Sequence, residues 1–281
     1  MGIDRAGAIF LGYSKRKGAS FRRTLTFGRQ GLYADLNTIN DVLTATNSPR
    51  LDALPKYCEP FLAALGAETI DSLDASSFEQ STIVHDLNAP LPERLHAQYT
   101  AVLDLGTIEH VFNAPAAFKS AMEAVAPGGH FIQVNVANNF TGHGFWQFSP
   151  ELLYRMLAPE NGFEVETMFL HEVERKKRWF RVLDPKAVGR RVTFRNSVPT
   201  YVLTVARRTK QVAIFPSPPQ QSDYVVQWED NRAAPVETRK PSLPHRAVLK
   251  LRRLLRSQLG SGLDRGIELI GESDLLQVAA E

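Results

Sequence analysis

One cysteine, Cys58, stands among 281 residues, so no disulfide can close within the chain. That fits a reducing compartment. Cys58 has no base paired with it in sequence, and a small buried hydrophobe is the better reading than a nucleophile. Long apolar runs are missing too. No stretch approaches the ~18 apolar residues of a membrane span. Met1 to Phe10 is short and interrupted by Asp4, unlike a signal peptide. A cytoplasmic protein is the expectation. Charge of one sign is scarce: 33 Lys and Arg against 30 Asp and Glu leave +3, so no general affinity for polyanions follows. The seven histidines include no His-x-x-x-His set. Sequence alone therefore makes no case for a metal, although folding could bring His110 and His143 together. Internal repeats are also lacking.

What is present alternates. Strand-like runs occur at Thr24–Phe27, Thr69–Leu73, Thr82–Leu87, Ala101–Leu105, His130–Ala137, Phe163–Val173 and Thr200–Ala206. Helical patterns fall between most of them. Leu36, Ile39, Val42 and Leu43 share one face of a helix over 35–44, and Leu54–Leu65 gives another, stopped at Gly66. Pro115–Val125 follows the fourth strand. Ser149-Pro150-Glu151 opens a further helix, with Ser as cap and Pro in the first turn. This alternation predicts an α/β, Rossmann-like, mostly parallel sheet with helices on both faces. The last two strands have no helical pattern between them, so an antiparallel return at the sheet edge is expected.

In such a sheet the ligand lies beyond the carboxyl ends of the strands. The residues there are specific. Ala101-Val102-Leu103-Asp104-Leu105-Gly106-Thr107-Ile108-Glu109-His110-Val111 is followed by a helix and then by Pro127-Gly128-Gly129 and a strand. This order resembles the class I S-adenosylmethionine-dependent methyltransferases, of the small-molecule type. The resemblance runs over roughly residues 69–170 and implies S-adenosylmethionine as cofactor. It places Asp86 and Leu87 near the adenine. Asp71 or Asp74 would close the second strand, where a carboxylate can accept from both ribose hydroxyls, and Asp74 is the preferred candidate. Asp104, Gly106 and Thr107 belong to the same site.

One departure stands out. The family's first strand ends in a Gly-x-Gly-x-Gly-like loop, whereas here the loop is Phe27-Gly28-Arg29-Gln30-Gly31-Leu32. Gly28 keeps the first position and Gly31 falls off the pattern. Either Arg29 or Gln30 replaces backbone contacts to the methionine carboxylate, or the site has decayed and the fold serves as a scaffold. The same loop argues against a nicotinamide dehydrogenase, which needs Gly-x-Gly-x-x-Gly.

Asn138 to Trp146 follows the fifth strand and should face the acceptor. His143, between Gly142 and Gly144, is the first candidate for a base that removes the acceptor's proton. Glu109 and His110 come next, with a structural pair fixing the turn as the alternative. Phe145 and Trp146 are candidates to line the acceptor pocket, or to pack in the core.

The domain boundaries follow from composition. Residues 1–23 end in a basic arm, 24–208 form the methyltransferase-like domain, 209–244 are a Pro-rich linker, and 245–281 hold a basic amphipathic helix and tail. Within the domain, 174–198 is a basic insertion with Trp179 and Phe180 interleaved, a solvated loop or lid. It raises an RNA methyltransferase as a further alternative, but the core carries no nucleic-acid module. A small-molecule or glycan acceptor is the leading expectation. The helix over 245–259 is suited to the inner membrane surface, to a protein partner, or to packing on its own domain.

Overall fold

The computed structural model describes residues 2–175, 177–225, 264 and 266–276. Among these, the main sheet has nine strands. They are β2 (Arg23–Phe27), β4 (Thr69–Asp74), β5 (Ile83–Val84), β6 (Tyr99–Leu105), β7 (Val125–Asn138), β8 (Phe163–Glu172), β9 (Trp179–Val182), β10 (Thr200–Arg208) and β11 (Ile267–Ile270). Their order is β11-β9-β8-β10-β7-β6-β2-β4-β5. The run β5-β4-β2-β6-β7 is parallel throughout. From β7 outward every pairing is antiparallel. A two-stranded ribbon, β1 (Gly2–Ile3) with β3 (Gly31–Leu32), sits beside it.

The strands read as near-continuous apolar runs because both faces are covered. Side chains alternate between faces, as period two demands. In β6, Val102 joins a core with Phe118, Phe131 and Leu153, under helices α4 (Ala114–Ala124) and α5 (Pro150–Met156). Its neighbours Ala101 and Leu103 join the other core, with Phe10, Leu43 and Phe61. That face carries helices α1 (Arg5–Arg16), α2 (Leu36–Ala45) and α3 (Glu59–Ala64). Ser149 caps as expected, accepting from Leu152 N at 3.2 Å; Asp35 also caps, accepting from Thr38 N at 2.9 Å. Cys58 is buried at 1 % exposure, and burial pushes its thiol up to about 12.

Four expectations need correction. The N-terminal arm is not an exposed extension. Asp4 caps α1, whose Ala6, Ile9, Phe10 and Leu11 are buried. Lys15 and Arg16, expected in an arm, are its last turn. The antiparallel return between β8 and β10 is present, but β10 lies inside the sheet, between β7 and β8, and the antiparallel edge strand is β11. The basic insertion contains a strand and a short helix, α6 (Pro185–Val188). Trp179 and Phe180 in β9 are 0 % and 1 % exposed and so cannot stack on bases. The tail returns as well. β11 pairs with β9, and helix α7 (Glu272–Leu276) brings Glu272 onto Arg5 with two 2.6 Å hydrogen bonds. Residues 245–259 lie outside the described residues. Among the described residues no helix is long and apolar enough to cross a membrane.

Candidate active site

The site is built by the loops after β2, β4, β6 and β7, since parallel strands leave their loops on one side. After β6 the chain turns through a 3-10 helix, Ile108–His110. Asp104 makes that turn. Its carboxylate, fully buried, accepts from Thr107 N at 2.9 Å, Ile108 N at 3.2 Å and Asn135 Nδ2 at 2.8 Å. Burial raises its pKa to about 6 despite these donors. Asp104 thus shapes the site from beneath.

Glu109 on the same turn is 1 % exposed, and its Oε2 is buried with no hydrogen-bond partner. Burial first, then the negative charge of Asp104, push its pKa to about 8. His110 beside it is exposed. Desolvation and the neighbouring His143 lower its pKa.

The loop after β7 folds down onto this turn. Phe145 N and Trp146 N both donate to Glu109 O, at 2.7 and 3.3 Å. Trp146 Nε1 donates to Val111 O at 3.0 Å. Gly144 makes the approach feasible. Its φ is +70°, and a Cβ there would stand 2.7 Å from Glu109 O. The result brings His143 Nε2 within 3.7 Å of Glu109 Oε1 and sets its ring edge-on to His110 at 5.0 Å. One ligand-type atom from each of Glu109, His110 and His143 lies within 4.8 Å of the others. All three catalytic candidates therefore meet, although 33 positions separate His110 from His143.

Glu109 and His143 line a cavity of about 210 Å³ with Gly106, Val136, Asp4 and Tyr201. Asp4 and Tyr201 both line it and shift each other's ionisation. Neither was found in the sequence. Asp4 registers there only as a break in an apolar run, and nothing local connects it with a strand two hundred residues on. Phe145 and Phe112, 67 % and 73 % exposed, meet edge-on nearby.

The first loop meets Thr107, the residue after the cavity-lining Gly106. Gly28 has φ +68°, and the space its side chain would fill is bounded by Thr107 Oγ1, Gln30 Nε2 and Asp74 Oδ2 at 3.1, 3.4 and 3.7 Å. Asp74 thus faces the loop, while Asp71 is held by Tyr99 Oη and Thr82 Oγ1. Gln30 is 2 % exposed. Its Nε2 donates to Phe27 O at 2.5 Å and to Thr107 Oγ1 at 3.3 Å, and its Oε1 has no partner. Arg29 turns elsewhere, paired with Glu59 at 2.6 Å over the Tyr57 ring. Asp86 is exposed and accepts from Asn88 N and Nδ2, which lowers its pKa. Leu87 packs in the core at 4 % exposure.

Four arginines of the basic insertion are ion-paired within the fold. Arg175 and Arg178 reach Glu172, Arg190 reaches Asp264 and Arg191 reaches Asp223.

Five parallel strands with the reversed β10 inserted beyond β7, and a site at their carboxyl ends after β2, β4 and β6, decide the architecture. The fold is that of the class I methyltransferases. No family model matches the chain, and no curated protein sequence matches it. Among solved structures, a methyltransferase of Thermotoga maritima is similar at 16 % identity and TM-score 0.36, over 73 % of this chain and 91 % of that one. TehB of Haemophilus influenzae is similar at 13 % and 0.39, over 71 % and 61 %. The branched-chain polyamine synthase of Thermus thermophilus is similar at 14 % and 0.37, over 78 % and 60 %. Likenesses this distant say nothing about reaction or acceptor; the strand order carries the fold.

Proposed function

We propose that the chain is an S-adenosylmethionine-dependent methyltransferase acting on a small-molecule or glycan acceptor. The observation that carries this reading is the meeting of Glu109, His110 and His143, two of them lining a cavity whose Gly106 adjoins Thr107 at the Gly28 loop. That is where an acceptor and a cofactor have to be held together.

Three features suit the cofactor. The Asp74 carboxylate stands at the end of β4, as an acceptor for two vicinal hydroxyls should. Gly28 leaves open a space that a side chain would fill. Gln30 Oε1, buried without a partner, is an acceptor of the kind an ammonium group requires. When bound, S-adenosylmethionine supplies a methyl group on a sulfonium, open to attack by a lone pair.

The chain's own task is then positioning. The cavity holds the acceptor against Glu109 and His143. Phe112 and Phe145 offer an aromatic surface for an apolar or sugar-ring face at its edge. Val134 and Val136 exclude water from the wall opposite.

Gln30 also favours a second reading. Its amide already occupies Phe27 O and Thr107, as a loop that had lost its ligand would arrange itself. That reading is a non-catalytic scaffold. The pairing of four arginines in the insertion weighs against RNA as the acceptor.

Fractionated small molecules, glycans and RNA, offered with S-adenosylmethionine labelled in its methyl group, separate these readings. Label in a small-molecule or glycan fraction is expected. Label in RNA alone would replace the acceptor class, and label in no fraction would favour the scaffold.

A further inference from the structure

Two imidazoles and a carboxylate that meet at the edge of a cavity, with Glu109 and His143 in its lining, are a donor set for a metal. We propose that Glu109, His110 and His143 bind one divalent first-row transition ion, such as Zn²⁺, at the floor of the acceptor cavity. The ion site depends only on how the cluster is built; the acceptor it would take rests on the function proposed above.

The donor chemistry selects the ion. Imidazole nitrogen with one carboxylate suits zinc, iron, cobalt or nickel. Magnesium and calcium prefer all-oxygen shells. Three protein ligands with remaining positions turned to a cavity are the arrangement of catalytic rather than structural sites.

The distances are near what an ion needs. Ligand bonds of about 2.1 Å place neighbouring donors about 3.0–3.4 Å apart. His143 Nε2 and Glu109 Oε1 stand at 3.7 Å, and the whole set lies within 4.8 Å. Closing the remainder requires the two imidazoles to move inward, by up to about 1.5 Å for the widest pair. The loop of His143 has glycines on both sides, at φ +91° and +70°, whereas Glu109 is fixed by the β6 turn.

A second observation points the same way. Glu109 Oε2 is an acceptor on a side chain 1 % exposed, without a partner, in the wall of this cavity. A buried unsatisfied carboxylate oxygen costs stability unless something fills its demand. An ion between it and the two rings does so. Open coordination positions would then face Gly106 and Tyr201, where an acceptor oxygen or nitrogen can bind directly. The acceptor class this implies is one with an exposed hydroxyl, carboxylate or amine able to ligate.

The test is metal binding by the full chain, stripped with chelator. Zn²⁺ is measured by equilibrium dialysis and Co²⁺ by the visible absorption of its d–d bands. One ion per chain is expected, with Mg²⁺ failing to compete. His143→Ala and His110→Ala, both at solvent-accessible rings, should weaken binding at least about tenfold each while circular dichroism stays unchanged. Glu109→Gln should do the same. No binding at roughly a hundred micromolar metal, or binding unchanged in both histidine variants, overturns the proposal. S-adenosylhomocysteine binding measured on the same samples keeps the two readings apart. Metal without nucleoside binding would leave the ion site standing and remove the transferase, and the reverse result would do the opposite.

Discussion

Gly144 carries more of the site than any charged residue suggests. Two backbone donors beside it close on Glu109 O, and its missing Cβ makes room for them. Gly144→Ala should impose about 1–3 kcal/mol of local strain and lift His143 away from Glu109. Crystallography or histidine NMR of the variant checks this: a His143 ring left in place would contradict the packing argument. His171 is a second informative residue. It is stacked on Trp179 at 4.2 Å, hydrogen-bonded to Arg178 O, and faced by Glu272, Arg5 and Glu172. Burial lowers its pKa to about 4, so it is neutral in the fold. The unfolded chain binds the proton first. Stability is therefore full above about pH 6.5 and falls as the pH drops toward 4, by up to roughly 3 kcal/mol. Denaturation at several pH values should show that slope, flattened in His171→Phe; an equal slope in both would assign the effect to other groups.

At the level of elements, legibility followed locality. Helix α5 announced itself through Ser149, because a cap is a contact between residues three apart, and helix α2 through the face that Leu36, Ile39, Val42 and Leu43 share. The parallel strands showed as apolar runs. Helix α1 was hidden because its Gly7, Gly12 and basic last turn dilute the pattern. β9 was hidden because Trp179-Phe180 sits among arginines whose partners, Glu172, Asp223 and Asp264, lie in other segments. β11 was invisible, since four residues bounded by Gly266 and Gly271 carry no periodicity. That strand and α7 make the C-terminal segment part of the domain. Glu272→Ala removes a bidentate pair to Arg5 with a mostly buried carboxylate. A loss of about 1–2 kcal/mol is expected, seen as a melting temperature lower by about 3–5 °C. No change would show that the strand pairing alone holds the tail.

On the scale of the whole molecule, the sheet does the placing. Glu109, His110 and His143 sit on adjacent strands' exits, so a strand order fixed by apolar burial also assembles the cluster. The Glu-His-Val element was legible as a motif, and Asp74 as the acid after a strand. The altered glycine loop was legible as a departure but not in its consequence. Only the fold shows Gln30 turned inward to Phe27 O while Arg29 is held by Glu59. Asp4 and Tyr201 needed the fold as well, because they line one cavity from segments about two hundred residues apart.

The Gly28 loop decides between transferase and scaffold. Calorimetric titration of S-adenosylmethionine and S-adenosylhomocysteine into the folded protein tests it directly. Binding of at least one is predicted, about tenfold weaker in Asp74→Ala, as loss of one charged hydrogen-bonding group implies. No heat at millimolar ligand, from protein shown to be folded, would contradict a cofactor site at Gly28 and Gln30 and leave the fold to the scaffold reading.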